Sequence, residues 1–256
     1  MLGYCFKYQA TNKALKRTKN SWLFAPSSLI LANNFLPLSG ALGTTSNMRV
    51  YHFINEEFGL KVLREKRLKI SRINELNDPF EFFSVEMTNP DFRKSMKAAK
   101  EEVAKNFGVN CFSKNWKNPV QWAHYADKHK GICLGFDIDS IELKKVDYVS
   151  KRLKPRNTPD ERLILKLCRT KYEHWSYEEE YRIFVELTDE EDGMYFIDFK
   201  GNMELKQVIV GANSSISREQ LNSSLGEQVQ TVSVFKARAG FKDFEIVKNK
   251  DQSMWS

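Results

Sequence analysis

Downstream of residue 48, short runs rich in Val, Ile, Phe and Tyr recur between turn residues, and only a few helical stretches separate them. Segments 49–54, 68–71, 109–112, 132–136, 146–149, 181–187, 194–199, 205–210, 229–235 and 244–247 read as strands. Helix signals mark a stretch after Asn55, then 92–107, a turn opened by Pro119 and running to about Lys128, 159–172 and 217–225. Strands outnumber helices and the two do not alternate one for one. That pattern predicts an α+β fold, a mixed and largely antiparallel sheet with packed helices. With 12% aromatic residues the chain can bury a sizeable core, which excludes wholesale disorder. No stretch approaches ~18 uninterrupted apolar residues, so no membrane partner is expected.

The net charge of +7 is concentrated at the start. Residues 1–47 carry Lys7, Lys13, Lys16, Arg17 and Lys19 and no acid, leaving the remainder nearly balanced. A balanced domain gives little support for a phosphate-binding surface. The leader pairs this basic stretch with an apolar run broken by Pro26, Asn33, Asn34 and Pro37. It reads as a targeting peptide, as an arm or partner-binding helix, or as a start assigned too early, with Met48 as initiator. The third reading is preferred, giving residues 48–256 as one α+β domain. The four cysteines, Cys5, Cys111, Cys133 and Cys168, form no C-x-x-C pair, which argues against a zinc ribbon and fits a reducing cytoplasm.

Three clusters hold more polar chemistry than packing requires. In N-D-P-F-E, residues 77–81, Asn77 and Asp78 suit a Pro-containing turn through side-chain to backbone bonds, and the alternative is a ligand-contacting loop with Glu81. Residues 122–137 place Trp122, Tyr125, Ala126 and His129 at helical spacing, most simply a core face. His124 and His129 are five apart, not the four of a helical metal pair, so no metal is expected. In W-S-Y-E-E-E-Y-R, residues 175–182, Glu178, Glu180 and Arg182 share one face, because strand side chains alternate with period two. They read either as a structural ion-pair ladder or, in a cleft, as carboxylates held by an arginine for a sugar hydroxyl. Walker, Rossmann and hydrolase nucleophile motifs are missing from the sequence.

These clusters carry a resemblance. Y-H-F at 51–53, N-D-P-F-E at 77–81, C-F-S at 111–113, Q-W-A-H-Y-A-D-K-H-K-G-I-C-L-G-F-D at 121–137 and W-x-x-E-x-E-Y-R at 175–182 resemble the bacterial family catalogued as domain of unknown function 2971. That label implies kinship and no chemistry. A fainter likeness is to the ADP-ribosyltransferase layout: an opening strand with Tyr51 and His52, a helix, a short strand, and a late glutamate entering a strand. The likeness implies NAD as co-substrate. His52 would hold a ribose hydroxyl, Tyr125 would pack on nicotinamide, and Glu180, with Glu178 as its rival, would stabilise an oxocarbenium-like centre. Arg182 would assist, and nucleic acid or protein would be the acceptor.

Three functions therefore compete. One is an NAD-consuming transferase or glycohydrolase. Another is a non-catalytic binding or regulatory module in a stress, toxin–antitoxin or phage-defence system, with the aromatic segment 121–125 as its partner surface. The last is a nuclease holding a divalent cation among Asp78, Glu81, Glu178 and Glu180. The first two turn on whether His52 and Glu180 open onto one concavity.

Overall fold

The computed structural model describes residues 46–155, 159–199, 201, 203–251, 253 and 255. Readings of the leader up to residue 45 lie outside the described residues. Twelve strands and five α-helices are found among the described residues.

Strand β1 (Asn47–Ile54) leads into helix α1 (Glu56–Glu65), where the Asn55 side chain accepts the Phe58 N–H at 2.9 Å and Glu56 and Glu57 occupy the first turn. A side-chain oxygen there satisfies one of the four amides that every helix start leaves unpaired. Strand β2 (Arg67–Arg72) follows, then a 3-10 turn (Ile73–Glu75) that opens the N-D-P-F-E loop. Helix α2 (Pro90–Asn106) starts with Pro90 and is capped by Asn89; strand β3 (Phe107–Ser113) follows it directly. Helix α3 (Pro119–Tyr125), capped by Asn118, precedes strand β4 (Ile132–Asp139), and β5 (Lys144–Lys145) and β6 (Asp147–Val149) are short.

Helix α4 (Glu161–Leu167), strand β7 (Thr170–Tyr172) and a 3-10 turn (Glu173–Glu178) lead to β8 (Glu180–Glu186). Strands β9 (Tyr195–Asp198) and β10 (Met203–Val210), helix α5 (Arg218–Leu225) with a Ser217/Gln220 capping box, then β11 (Ser233–Ala239) and β12 (Ile246–Lys248) complete the order.

The main sheet runs β12-β11-β10-β4-β1-β3-β2-β9, with β8 pairing both β3 and β5. Its pairs are antiparallel except β10/β11, and the detached β6/β7 pair is parallel. The mixed, largely antiparallel α+β expectation holds. The principal core joins β1, β4 and β10 to α1 and α5 through Val50, Leu63, Leu134, Phe136, Val208 and Leu221. A second cluster packs α2 and α4 against Phe107, Val109 and Phe184.

Three expected elements are shorter or shifted. The Pro119 helix ends at Tyr125, because Asp127, Lys128 and His129 all take left-handed backbone, with φ of 42°, 53° and 70°. Such residues leave the helical geometry, and they turn the chain straight back into β4. His129 therefore lies off the helix and stacks on Trp122 instead, ring centroids 6.4 Å apart. The helix expected over 159–172 stops at Leu167, and Thr170–Tyr172 becomes strand β7. The strand expected over 229–235 begins at Ser233, after a 3-10 turn (Gly226–Gln230).

One irregularity positions everything below. On one edge of β3, β2 pairs only at its start (Ser71 opposite Val109, Arg72 opposite Gly108) and β1 pairs only at its end (Tyr51 opposite Ser113). Between these contacts, residues 110–112 of β3 have no strand partner on that edge, and the sheet splays open. Unpaired buried backbone groups are costly, so side chains fill in. His52 Nδ1–H donates to the Cys111 carbonyl at 3.0 Å, and Asn110 Nδ2–H donates to the Lys69 carbonyl at 2.8 Å.

Candidate functional site

The splay holds a cavity of about 240 Å³ lined from β1, β2, β3, the N-D-P-F-E loop, α3, β7 and the entry to β8. Tyr51, His52, Asn77, Glu81, Tyr125, Glu178, Glu180 and Arg182 all line it. His52 and Glu180 thus share one concavity. Asp78 does not line it: it is buried, and its Oδ1 accepts the Phe80 N–H at 2.9 Å in the turn expected for Asx-Pro.

The floor is a buried ionic cluster. Arg182 is fully buried and uses all five of its N–H donors within the protein. Nη1 and Nη2 clamp the two oxygens of Glu81 at 2.6 and 3.0 Å, Nε and Nη2 reach Glu180 at 2.8 and 3.1 Å, and Nη1 also donates to the Cys168 carbonyl at 2.7 Å. A guanidinium presents its donors in a fixed fork that suits two carboxylates at once. Arg182 consequently has no donor left for a ligand, and its part is to hold Glu81 and Glu180. The expectation that it assists a substrate directly is corrected to that extent.

Lys171, on β7, was not singled out from sequence. It is buried, and its Nζ bridges Glu178 at 2.5 Å and Glu180 at 3.3 Å, with the Trp175 ring face 4.7 Å away. The period-two argument for Glu178, Glu180 and Arg182 fails at Glu178, which ends a 3-10 turn and is followed by Glu179 in left-handed backbone. The three side chains converge all the same, because Lys171 gathers the two glutamates. Tyr125, at the end of α3, donates its hydroxyl to Glu178 Oε1 at 2.5 Å.

The two neighbouring glutamates titrate apart. Burial raises the Glu178 carboxyl, and the charge on Glu180 adds to this, against the pull of Lys171. Burial would also raise Glu180, but the Arg182 and Lys171 charges outweigh it and hold that carboxyl down at about 2. Two carboxyls pushed apart in one cleft are the usual signature of separate acid/base and charge-stabilising roles. Burial lowers the His52 pKa, partly opposed by its bond to Cys111. The neutral ring with Nδ1–H engaged leaves Nε2 as an acceptor.

Protein nitrogens of Arg182 and Lys171 pair with the carboxylates of Glu81, Glu178 and Glu180. Among the described residues, no group of three or more His, Cys, Asp or Glu is disposed to hold a metal ion. In the segment 121–125, Gln121 and Trp122 are buried, Tyr125 is half-buried, and Ala123 and His124 are exposed. Among the described residues no helix is long and apolar enough to cross a membrane.

The residues that supply most of this floor fall in one stretch of sequence. Residues 121–183 match the family described as protein of unknown function (DUF2971). No curated protein and no solved structure matches the chain. The DUF2971 match spans about a quarter of the chain and carries Gln121, Tyr125, Lys171, Glu178, Glu180 and Arg182. Glu81 and His52 come from outside it, so the cavity is assembled from both the matched segment and the strands before it.

Proposed function

We propose that the cavity cleaves the N-glycosidic bond of NAD, transferring or hydrolysing its ADP-ribosyl group. The observation that carries this reading is the pair of adjacent glutamates with separated titration, in one cleft with a neutral histidine of fixed tautomer. When the glycosidic bond breaks, its electron pair leaves with the nicotinamide nitrogen, which needs no proton, and positive charge develops at the anomeric carbon. An ionised Glu180 stabilises that charge. The acceptor O–H or N–H then adds to the anomeric carbon and loses its proton, a task suited to the Glu178 carboxylate because of its raised affinity for protons. His52 Nε2 accepts a ribose hydroxyl.

A cavity of 240 Å³ is smaller than the ~300–1,000 Å³ of sites for drug-sized ligands, so a nucleoside-sized portion enters and the pyrophosphate lies towards exposed Lys69 at the rim. The free thiols of Cys111, Cys133 and Cys168 are consistent with a cytoplasmic setting, where NAD is abundant. The full chain incubated with NAD should release nicotinamide, and Glu180→Gln should reduce release at least a hundredfold while the circular-dichroism spectrum is unchanged. Equal release from both proteins would remove Glu180 from the mechanism, and no release from the parent protein would end this reading.

A second reading is a binding or regulatory module, of the kind found in stress or phage-defence systems. It is favoured by the closure of the ionic cluster: every Arg182 donor is satisfied inside the protein, as a structural element would be. Saturable NAD binding without turnover would select it.

A further inference from the structure

Two acceptors in the cavity are left over. Asn110 and Gln121 are 2% and 1% accessible, both line the cavity, and Asn110 Oδ1 and Gln121 Oε1 have no hydrogen-bond partner among the described residues. Their orientations are fixed by their other ends. Asn110 Nδ2 donates to the Lys69 carbonyl, and Gln121 Nε2 donates to the Tyr177 carbonyl at 2.9 Å and to Ser113 Oγ at 3.0 Å. Carbonyls only accept, so neither amide can flip to cover its oxygen. A buried acceptor without a donor costs on the order of a lost hydrogen bond, and native proteins keep few of them.

We propose that Asn110 and Gln121 form a donor-reading subsite that seats the planar –NH₂ group of a heteroaromatic ring. The cavity lining also includes Phe53 and Phe112, aromatic side chains of the kind such a ring packs on. The anionic bias of the floor, with three glutamates against one arginine and one lysine, favours donors over further acceptors. A dinucleotide carries this group at two places, the primary carboxamide of nicotinamide and the exocyclic amine of adenine. This inference rests on the proposed NAD chemistry for its ligand, but not for its geometry.

Matched ligands test it on the unaltered full chain by calorimetry or ligand-observed NMR. Nicotinamide is compared with N,N-dimethylnicotinamide, and adenosine with inosine; each second member loses the –NH₂ donors and keeps the ring. At least one pair should show a preference of about tenfold or more for the –NH₂ member, the discrimination that an unmet buried acceptor enforces. A preference confined to the first pair seats the carboxamide in the subsite, and one confined to the second seats adenine. Gln121→Met, checked for an unchanged thermal midpoint, should reduce the preference to less than threefold. Equal affinities within both pairs, or binding by none of the four, overturn the subsite and leave water as what meets the two oxygens. Nicotinamide release from NAD, measured separately, reports on the proposed reaction: release without discrimination would sink the subsite alone.

Discussion

Replacing Arg182 by Met keeps the volume and apolar stem of a fully buried side chain and deletes five charge-assisted hydrogen bonds. Glu81 loses both of its side-chain hydrogen bonds, and Glu180 keeps Lys171 at 3.3 Å and the weaker Cys111 thiol. Stranding one buried charge by removing its partner costs about 3–5 kcal/mol. Two carboxylates are affected here, one of them wholly, so Arg182→Met should lose at least about 4 kcal/mol. Against a total stability of ~5–15 kcal/mol, that brings the variant near its unfolding threshold. Urea denaturation followed by circular dichroism measures it, with m-values checked for a common unfolded state.

The pH dependence carries a sign that a simple packing defect would not. In the parent protein Glu180 is held down at about 2, so its contribution is complete above the ~4.3 of a free glutamate and fades as pH falls towards 2. Without the guanidinium, burial dominates and the carboxyl takes up a proton above ~4.3. Lowering the pH from 7 to 5 should then relieve the variant, and the stability gap to the parent should narrow. Removing the stranded partner as well, in Arg182→Met/Glu81→Met, should restore at least about 1 kcal/mol relative to the single variant. A single variant within about 1 kcal/mol of the parent at pH 7, or a gap that widens on acidification, would refute the electrostatic account.

Two further predictions concern the frame around the cavity. Gly131 ends the turn after α3, and an added Cβ there would lie 2.1 Å from the Ile54 carbonyl oxygen and 2.9 Å from the Asn55 Cα, both backbone atoms that cannot swing aside. Gly131→Ala should therefore cost about 2 kcal/mol or more, read as a lowered urea midpoint; an unchanged midpoint would mean the turn yields freely. Cys133 and Cys168 are fully buried, and burial pushes both thiols up, that of Cys168 to about 12. At pH 8 neither should react with a maleimide faster than the protein unfolds, as peptide mapping of the labelled chain would reveal.

The sheet, the helix starts at Asn55, Pro119 and Ser217, and the α+β class were legible because they rest on local signals: alternation, side-chain capping and proline at a first helical turn. Element ends after Tyr125 and Leu167 were not, since apolar spacing continued past the point where tertiary packing turned the chain. The cavity residues were found by chemistry, whereas Lys171 was hidden among 40 basic side chains whose ordinary place is solvent.

Charge balance could nevertheless have pointed to Lys171. If Glu81, Glu178 and Glu180 converge on Arg182 in a buried cleft, a single guanidinium leaves two negative charges uncompensated, more than a dry interior tolerates. A second cation must enter, and it must reach Glu178 and Glu180 from a neighbouring element. Lys171 does so from β7. Asn110 and Gln121 had no such arithmetic behind them. An amide looks the same in sequence whether its carbonyl is met or orphaned, and only the folded chain shows these two buried against the cavity with no donor.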